Sequence, residues 1–282
     1  MVCCSGKHFA VAGATLLPLL GMYVAWGPQY MKDLKMSTSG GKMGANFGTG
    51  KMFDAVASYY DELNMVMSVG QDVHWRNELV HNLNLQSGDQ LLDLGTGTAD
   101  VALTAWKSEK NITVSGIDPS SGMIARGRDK VRAIEAHRNV DLQVGDAQSM
   151  PEVSDDAIDK ISMSFAIRNV PNRDKAFAEM YRVIKKQARS RLYILEFSFP
   201  SEDTWLGMAV STFTIHAVPL LGGLMGMYDE YAYLAQSIKD FPQPEDFATV
   251  LENNKFHVIH TYAFMAGIVQ LYVATPYPEQ QF

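Results

Sequence analysis

The residues whose types and spacing could do chemistry lie at the ends of short apolar runs. In LLDLGTGTAD, Leu91 to Asp100, a strand carrying Asp93 enters a turn with Gly95 and Gly97, where a Cβ would obstruct tight backbone angles and a ligand's close approach. The run Val114 to Asp118 closes on an acid placed to accept hydrogen bonds from ribose hydroxyls at the carboxyl edge of a parallel sheet. A third run, Val140 to Val144, precedes Asp146, which could accept from an adenine amino group while also capping a helix. A fourth, Ile158 to Phe165, is followed by Arg168 and Asn169, at the edge where open α/β sheets bind ligands. For Arg168 a structural salt bridge is the alternative.

The spacing discriminates between cofactors. A dinucleotide fingerprint beginning at Gly95 needs glycine at position 100, but Asp100 stands there, and a carboxylate would repel a pyrophosphate. S-adenosylmethionine carries a sulfonium and an amino group and tolerates nearby acids, so Asp93, Asp118 and Asp146 around the glycine turn point to it. No metal is expected: the 7 histidines are scattered without zinc-ligand spacing. Both cysteines, Cys3 and Cys4, sit at the N-terminus, as incidental thiols or palmitoylation sites beside a membrane segment. A formal charge of −7 argues against nucleic acid as a partner.

The elements that position these residues alternate. Strands near Leu91, Thr113, Val140, Ile158 and Arg191 are separated by helical stretches after Asp100, Ser121 and Arg173, which predicts an α/β fold with a parallel sheet and helices on both faces. Helical spacing at Phe53, Val56 and Tyr60 predicts a cap before the first strand, with Tyr60 either packing on the sheet or touching ligand as a lid. Two last strands, Val258 to Tyr262 and Ile268 to Ala274, are compatible with a hairpin through Ala266 and Gly267.

Three further stretches set the organisation. Residues 1–35 form a hydrophobic leader, free of Asp, Glu, Lys and Arg from His8 to Met31. It is long enough to cross a bilayer as a helix, and is read as a membrane anchor flanked by Lys7, Lys32 and Lys35, with a signal peptide or an organelle-targeting leader as the other readings. Residues 36–51 are a glycine-rich linker, and the folded domain is expected over 52–282. Within it, 204–227 is apolar almost throughout and predicts an apolar lid or membrane-contacting surface over the sheet edge.

In order along the chain, FDAVASYYDELNMVMSVGQDVHWR, LLDLGTGTAD, SGIDPSSGM, GDAQSMP, SFAIRNV, AFAEMYRVIK, YILEFSFP, YAYLAQSIKDFP and GIVQLYV resemble the motifs of the UbiE-type ubiquinone/menaquinone C-methyltransferases, from about Met52 to Ala274. The resemblance implies a class I S-adenosylmethionine methyltransferase (Rossmann-like) fold, with a mainly parallel seven-stranded sheet. It implies S-adenosylmethionine as cofactor and a polyprenylated benzoquinol or naphthoquinol as acceptor. Thr98, Asp118, Asp146, Ala147 and Ser164, alongside Gly95 and Gly97, match the family's cofactor contacts; Tyr60, Arg168 and Asn169 match the acceptor site, giving them the catalytic positions. By analogy the location is the mitochondrial inner membrane, or a plastid membrane, with other subunits of a membrane or quinone-biosynthesis complex as partners.

Three departures bear on activity: Ala99 and Ala166 replace glycines, and Lys185, Lys186, Gln187 and Ala188 replace a Pro-Gly turn. On the family pattern, the Ala99 methyl is expected to intrude toward the cofactor. Together with the hydrophobic leader, they motivate a second reading, a catalytically inactive, membrane-anchored subunit of an organellar complex.

Overall fold

The computed structural model describes residues 50–58, 60–68, 70–199, 223 and 228–278. The leader, nearly all of the linker, and the apolar stretch 204–227 except Gly223 lie outside the described residues. Three helices come first: α1 (Gly50–Val56), α2 (Tyr60–Met67) and α3 (Gln71–Leu83). Strands and helices then alternate through β1 (Gln90–Leu94), α4 (Asp100–Ser108), β2 (Thr113–Asp118), α5 (Ser121–Ala133), β3 (Val140–Val144), β4 (Lys160–Ser164), α6 (Arg173–Val183) and β5 (Arg191–Phe197). The chain closes with α7 (Tyr228–Lys239), α8 (Pro244–Asn253), β6 (Phe256–Phe264) and β7 (Val269–Pro276). Among the described residues, no helix is long and apolar enough to cross a membrane.

The sheet has seven strands in the order β3-β2-β1-β4-β5-β7-β6. The first five run parallel, and β7 enters antiparallel between β5 and β6. The expected hairpin forms, but its second strand reaches past its partner to pair with β5, so the two ends of the domain share one sheet. This is the expected α/β architecture. Order reverses between β1 and β4, so their carboxyl ends open a crevice.

Burial follows from this placement. β1 is covered on both faces and reads as a nearly continuous apolar run, whereas edge strand β3 alternates. Leu91, Val114, Tyr193 and Leu195 face one apolar layer with Trp75, Leu79, Val101 and Ile124; Leu92, Leu94, Ile161 and Ile194 face the other with Phe177, Phe247, Phe256 and Tyr272. The loop at Lys185 to Ala188 lies at the sheet's amino-terminal edge. Lys185 pairs there with Asp159 at 2.8 Å, Ser190 N–H donates to the Gln187 carbonyl, and Arg189 pairs with Asp89. The turn without Pro-Gly is therefore rebuilt far from the crevice.

One acid of the central strand is sealed in. Asp93 is 1% exposed, and its two oxygens accept from Ser162 Oγ and Thr96 Oγ1, each at 2.7 Å. Burial, the largest influence, raises its pKa to about 6, against the two hydroxyl hydrogen bonds that lower it. Because the folded pKa lies above the unfolded one, the stability this group contributes is complete in acid and is lost as pH rises through about 6. Asp93→Asn, which keeps both hydroxyl partners by rotating them, is expected to match the native chain near pH ~4. By pH ~7.5 it should exceed it by up to about 3 kcal/mol. Urea unfolding of both proteins across that range checks this; parallel stability curves contradict it.

Candidate active site

A cavity of about 250 Å³ opens at the carboxyl ends of β1, β2 and β4. Its floor is the glycine turn. Gly95 and Gly97 adopt left-handed backbone, at φ 63° and 54°. A Cβ on Gly95 would stand 2.4 Å from the Ala166 Cβ, so the close approach of these two loops requires glycine there. Gly97 N–H donates to Asp118 Oδ2 at 2.9 Å, and Ser120 N–H to Asp118 Oδ1 at 2.8 Å, which fixes the acid that ends β2 against the turn after β1. Burial pushes the Asp118 carboxyl upward against these two hydrogen bonds, which lower it.

The far wall is the turn after β4. Phe165 sits at φ 55°, a strained angle for a bulky side chain, held by its N–H on the Leu195 carbonyl at 2.7 Å and by its ring against Phe197, centroids 4.6 Å apart. Ser164 contributes a buried hydroxyl with no hydrogen-bond partner among the described residues. Asn169 also lines the wall, and the Tyr233 hydroxyl on α7 donates to its Oδ1 at 3.0 Å, which sets the amide's orientation.

The roof comes from α1 and α2. Asp54 Oδ1 accepts from Ser120 Oγ at 2.6 Å and Gly122 N–H at 2.8 Å, clamping α1 to the start of α5 and holding the Asp54 carboxyl below its usual range, with the Ser120 hydrogen bond as the largest cause. Phe53 and Tyr60 stack edge to face, 6.2 Å between centroids, over the opening. Tyr60 thus lines the cavity from the roof.

The expected site residues divide by side-chain direction. Tyr60, Gly95, Gly97, Asp118, Asp146, Ala147, Ser164 and Asn169 all line the cavity. Asp146 is exposed, and its carboxylate accepts from Gln148 N–H at 2.9 Å and from that side chain's amide, a local turn cap at the rim. Asp93, Thr98 and Arg168 do not line it. Asp93 is occupied within the sheet, and Thr98 Oγ1 donates to Asp61 Oδ1 at 2.5 Å on the lid helix. Arg168 is turned from the cavity to Glu196, Nη1 to Oε1 at 2.6 Å, with a second bond to the Phe165 carbonyl at 2.8 Å. Its side chain is 8% exposed and that of Glu196 0%, a buried ion pair beneath the wall.

The departure at Ala99 and the acid at position 100 both resolve in this geometry. The Ala99 methyl does not enter the cavity: fully buried at φ 70°, it turns toward α5, where Gly127 makes room. Asp100 does not face the cavity either; Lys130 at 2.7 Å and Arg76 at 3.5 Å neutralise it, so the repulsion expected at position 100 acts elsewhere. Glu196 was the residue that spacing alone passed over. A charged side chain inside the apolar run LYILEFSF was the signal for it.

The sequence profile of the ubiE/COQ5 methyltransferase family matches residues 42–276. The chain belongs to that family. It is a methyltransferase with S-adenosylmethionine as methyl donor. It is similar to the ubiquinone/menaquinone biosynthesis C-methyltransferase UbiE of Geotalea uraniireducens (strain Rf4), 33% identical over 224 residues covering 79% of this chain and 94% of that one. It is also 34% identical to a demethylmenaquinone methyltransferase of Bacteroides fragilis, over 80% of this chain and 91% of that one. Among solved structures, the fold is shared with a SAM dependent methyltransferase from Aquifex aeolicus, with a TM-score of 0.57 at 16% identity, covering 78% of this chain and 97% of that one.

The methyltransferase's cavity fits its donor on observations of its own: a left-handed glycine turn at Gly95 and Gly97 in its lining, a buried hydroxyl at Ser164 without a partner among the described residues, and Asp118 and Asp146 in a lining whose described residues include no Lys or Arg. Two outcomes test the geometry. Gly95→Ala should cost about 2 kcal/mol by overpacking against Ala166, and adding Ala166→Gly should recover all but about 1 kcal/mol of left-handed strain. Glu196→Gln, which leaves the Arg168 guanidinium buried without its countercharge, should destabilise by about 3–5 kcal/mol in chemical denaturation.

Proposed function

We propose that this methyltransferase methylates a ring carbon of a polyprenylated benzoquinol or naphthoquinol. The carrying observation is one cavity with two characters: an acid-and-glycine floor at Gly95, Gly97 and Asp118, and an apolar wall of Phe53, Ile117, Met163, Phe165 and Val170. Two of its relatives carry names that place them in quinone biosynthesis. When bound, S-adenosylmethionine supplies a methyl carbon made electrophilic by a sulfonium. Gly95, Gly97, Asp118, Asp146, Ala147 and Ser164 are the residues assigned to hold it, with Asp118 taking the ribose hydroxyls.

The chain's own part is positioning and drying. Phe53 and Phe165 exclude water from the reacting ring, and most of the rate comes from holding the ring carbon in line in that dry space. Loss of a ring-hydroxyl proton to solvent makes the carbon nucleophilic, and once that carbon holds the methyl it gives up its own hydrogen as a proton to solvent, restoring the aromatic ring. Tyr60 and Asn169 orient that hydroxyl from the wall. Arg168, given a catalytic position by the resemblance, is instead engaged by Glu196 and the Phe165 carbonyl, and its part is to hold the turn that carries Asn169. Asp93 and Thr98 shape the turn rather than touch the ligand.

A polyprenyl tail confines the acceptor to a bilayer. That supports a membrane-associated enzyme, with the apolar stretch from His8 to Met31 as its anchor and the mitochondrial inner membrane as its site. Partnership with other quinone-biosynthesis subunits belongs to the same proposal. Two of the departures behind the inactive-subunit reading lie off the cavity, since Ala99 faces Gly127 and the rebuilt loop lies at the opposite edge.

Incubating the purified full chain with labelled S-adenosylmethionine and reduced demethylmenaquinol or its benzoquinol counterpart tests the proposal. Label is expected on the quinol ring, and Asn169→Ala should lower turnover by about 10²-fold through misorientation. Label transfer to neither quinol, from a protein that binds the donor, would refute it.

A further inference from the structure

The roof of the cavity is fastened by charge to a single helix. Arg126 and Lys130, four residues apart on α5, face Asp61 and Glu62 in the first turn of α2, immediately after Tyr60. Lys130 directs its three donors at three elements: Asp61 Oδ2 on α2 at 2.6 Å, Thr98 Oγ1 in the cofactor turn at 2.9 Å, and Asp100 Oδ1 on α4 at 2.7 Å. Thr98 closes the ring by donating to Asp61 Oδ1 at 2.5 Å. The ion pairs recorded between α2 and the body of the domain, among the described residues, are those of Asp61 and Glu62, and Tyr60 adds an electrostatic influence on Arg76 of α3.

We propose that Lys130, Asp61 and Thr98 form a latch that holds the Tyr60-bearing helix down over the methyl-donor pocket, with Lys130 as its positioning residue. The proposal rests on the assignment of the cavity to the donor. An isolated surface ion pair would contribute little. This one differs because one ammonium joins lid, turn and α4, so that breaking it frees the lid from the same turn that lines the pocket. The side chains of Lys130 and Asp61 are 28% and 23% exposed, accessible enough for salt to loosen them without unfolding the domain. The other lid helix, α1, is clamped independently by Asp54 at the start of α5. Opening at Lys130 therefore swings α2 and Tyr60 while Phe53 stays.

The test uses the full chain, with and without S-adenosylhomocysteine, followed by hydrogen–deuterium exchange and by titration. In Lys130→Met and in the isosteric Asp61→Asn, the amides of 60–67 should exchange about fivefold faster without ligand, while β1 and β4 keep their native protection. The dissociation constant for S-adenosylhomocysteine should rise about tenfold in each, the double variant should be no weaker than the poorer single one, and Lys130→Arg should restore most of the affinity. In the native chain, raising ionic strength should accelerate exchange in 60–67 selectively. Native exchange and affinity in both single variants overturn the latch, as does faster exchange spread through the whole sheet. If the native chain fails to bind S-adenosylhomocysteine at all, the assignment of the cavity falls, and the exchange pattern still decides the latch.

Discussion

The site depends on the pair of hydrogen bonds that Asp118 accepts. Its carboxylate ties the N–H of Gly97, in the turn leaving β1, to the N–H of Ser120, at the entry to α5. Ser120 in turn donates its hydroxyl to Asp54 on α1 and accepts from Met123 N–H at 3.1 Å. One chain of hydrogen bonds thus runs from the roof, through the helix start, to the floor. Each link is a short polar side chain satisfying a backbone donor that would otherwise be orphaned at a helix or strand end. The cavity is what remains between the two ends of that chain.

This explains how the fold absorbs its departures from the family pattern. At a left-handed helix entry, alanine costs about 1 kcal/mol over glycine, and its methyl needs space. Gly127 supplies that space for Ala99, on the side of α5 away from the ligand. Ala166 is accommodated differently: it faces Gly95, and the absence of a side chain there is what lets the loops after β1 and β4 meet. The two substitutions are thus each matched by a glycine elsewhere in sequence and adjacent in space.

Much of this was legible in the chain. Apolar runs ending in Asp118 and Asp146 placed those acids at the carboxyl edge, because strand direction in a βαβ unit leaves no other edge for them. Side-chain direction was less accessible. Whether Asp93 points to ligand or sheet depends on the pleat and on Ser162 across the β1–β4 register, a contact between residues far apart in sequence. Arg168 was readable as functional or structural, and only the proximity of Glu196 on β5 fixes where its guanidinium lies. The insertion of β7 between β5 and β6 was hidden for the same reason: a hairpin's spacing does not say which of its strands takes a third partner. The latch at Lys130 joins Asp61, Thr98 and Asp100, and nothing in their spacing along the chain says that the three meet at one ammonium.

The central claim is that Asp118 and the glycine turn make a binding site for S-adenosylmethionine and not merely a well-tied strand end. Calorimetric titration of the purified full chain with S-adenosylmethionine, beside Asp118→Ala, tests it most directly. The account predicts one equivalent bound in the micromolar range by the native chain and a loss of at least about tenfold in the variant, while the variant still unfolds cooperatively. A native chain that takes up no donor at millimolar concentration, or a folded Asp118→Ala that binds as tightly as the native chain, would contradict it.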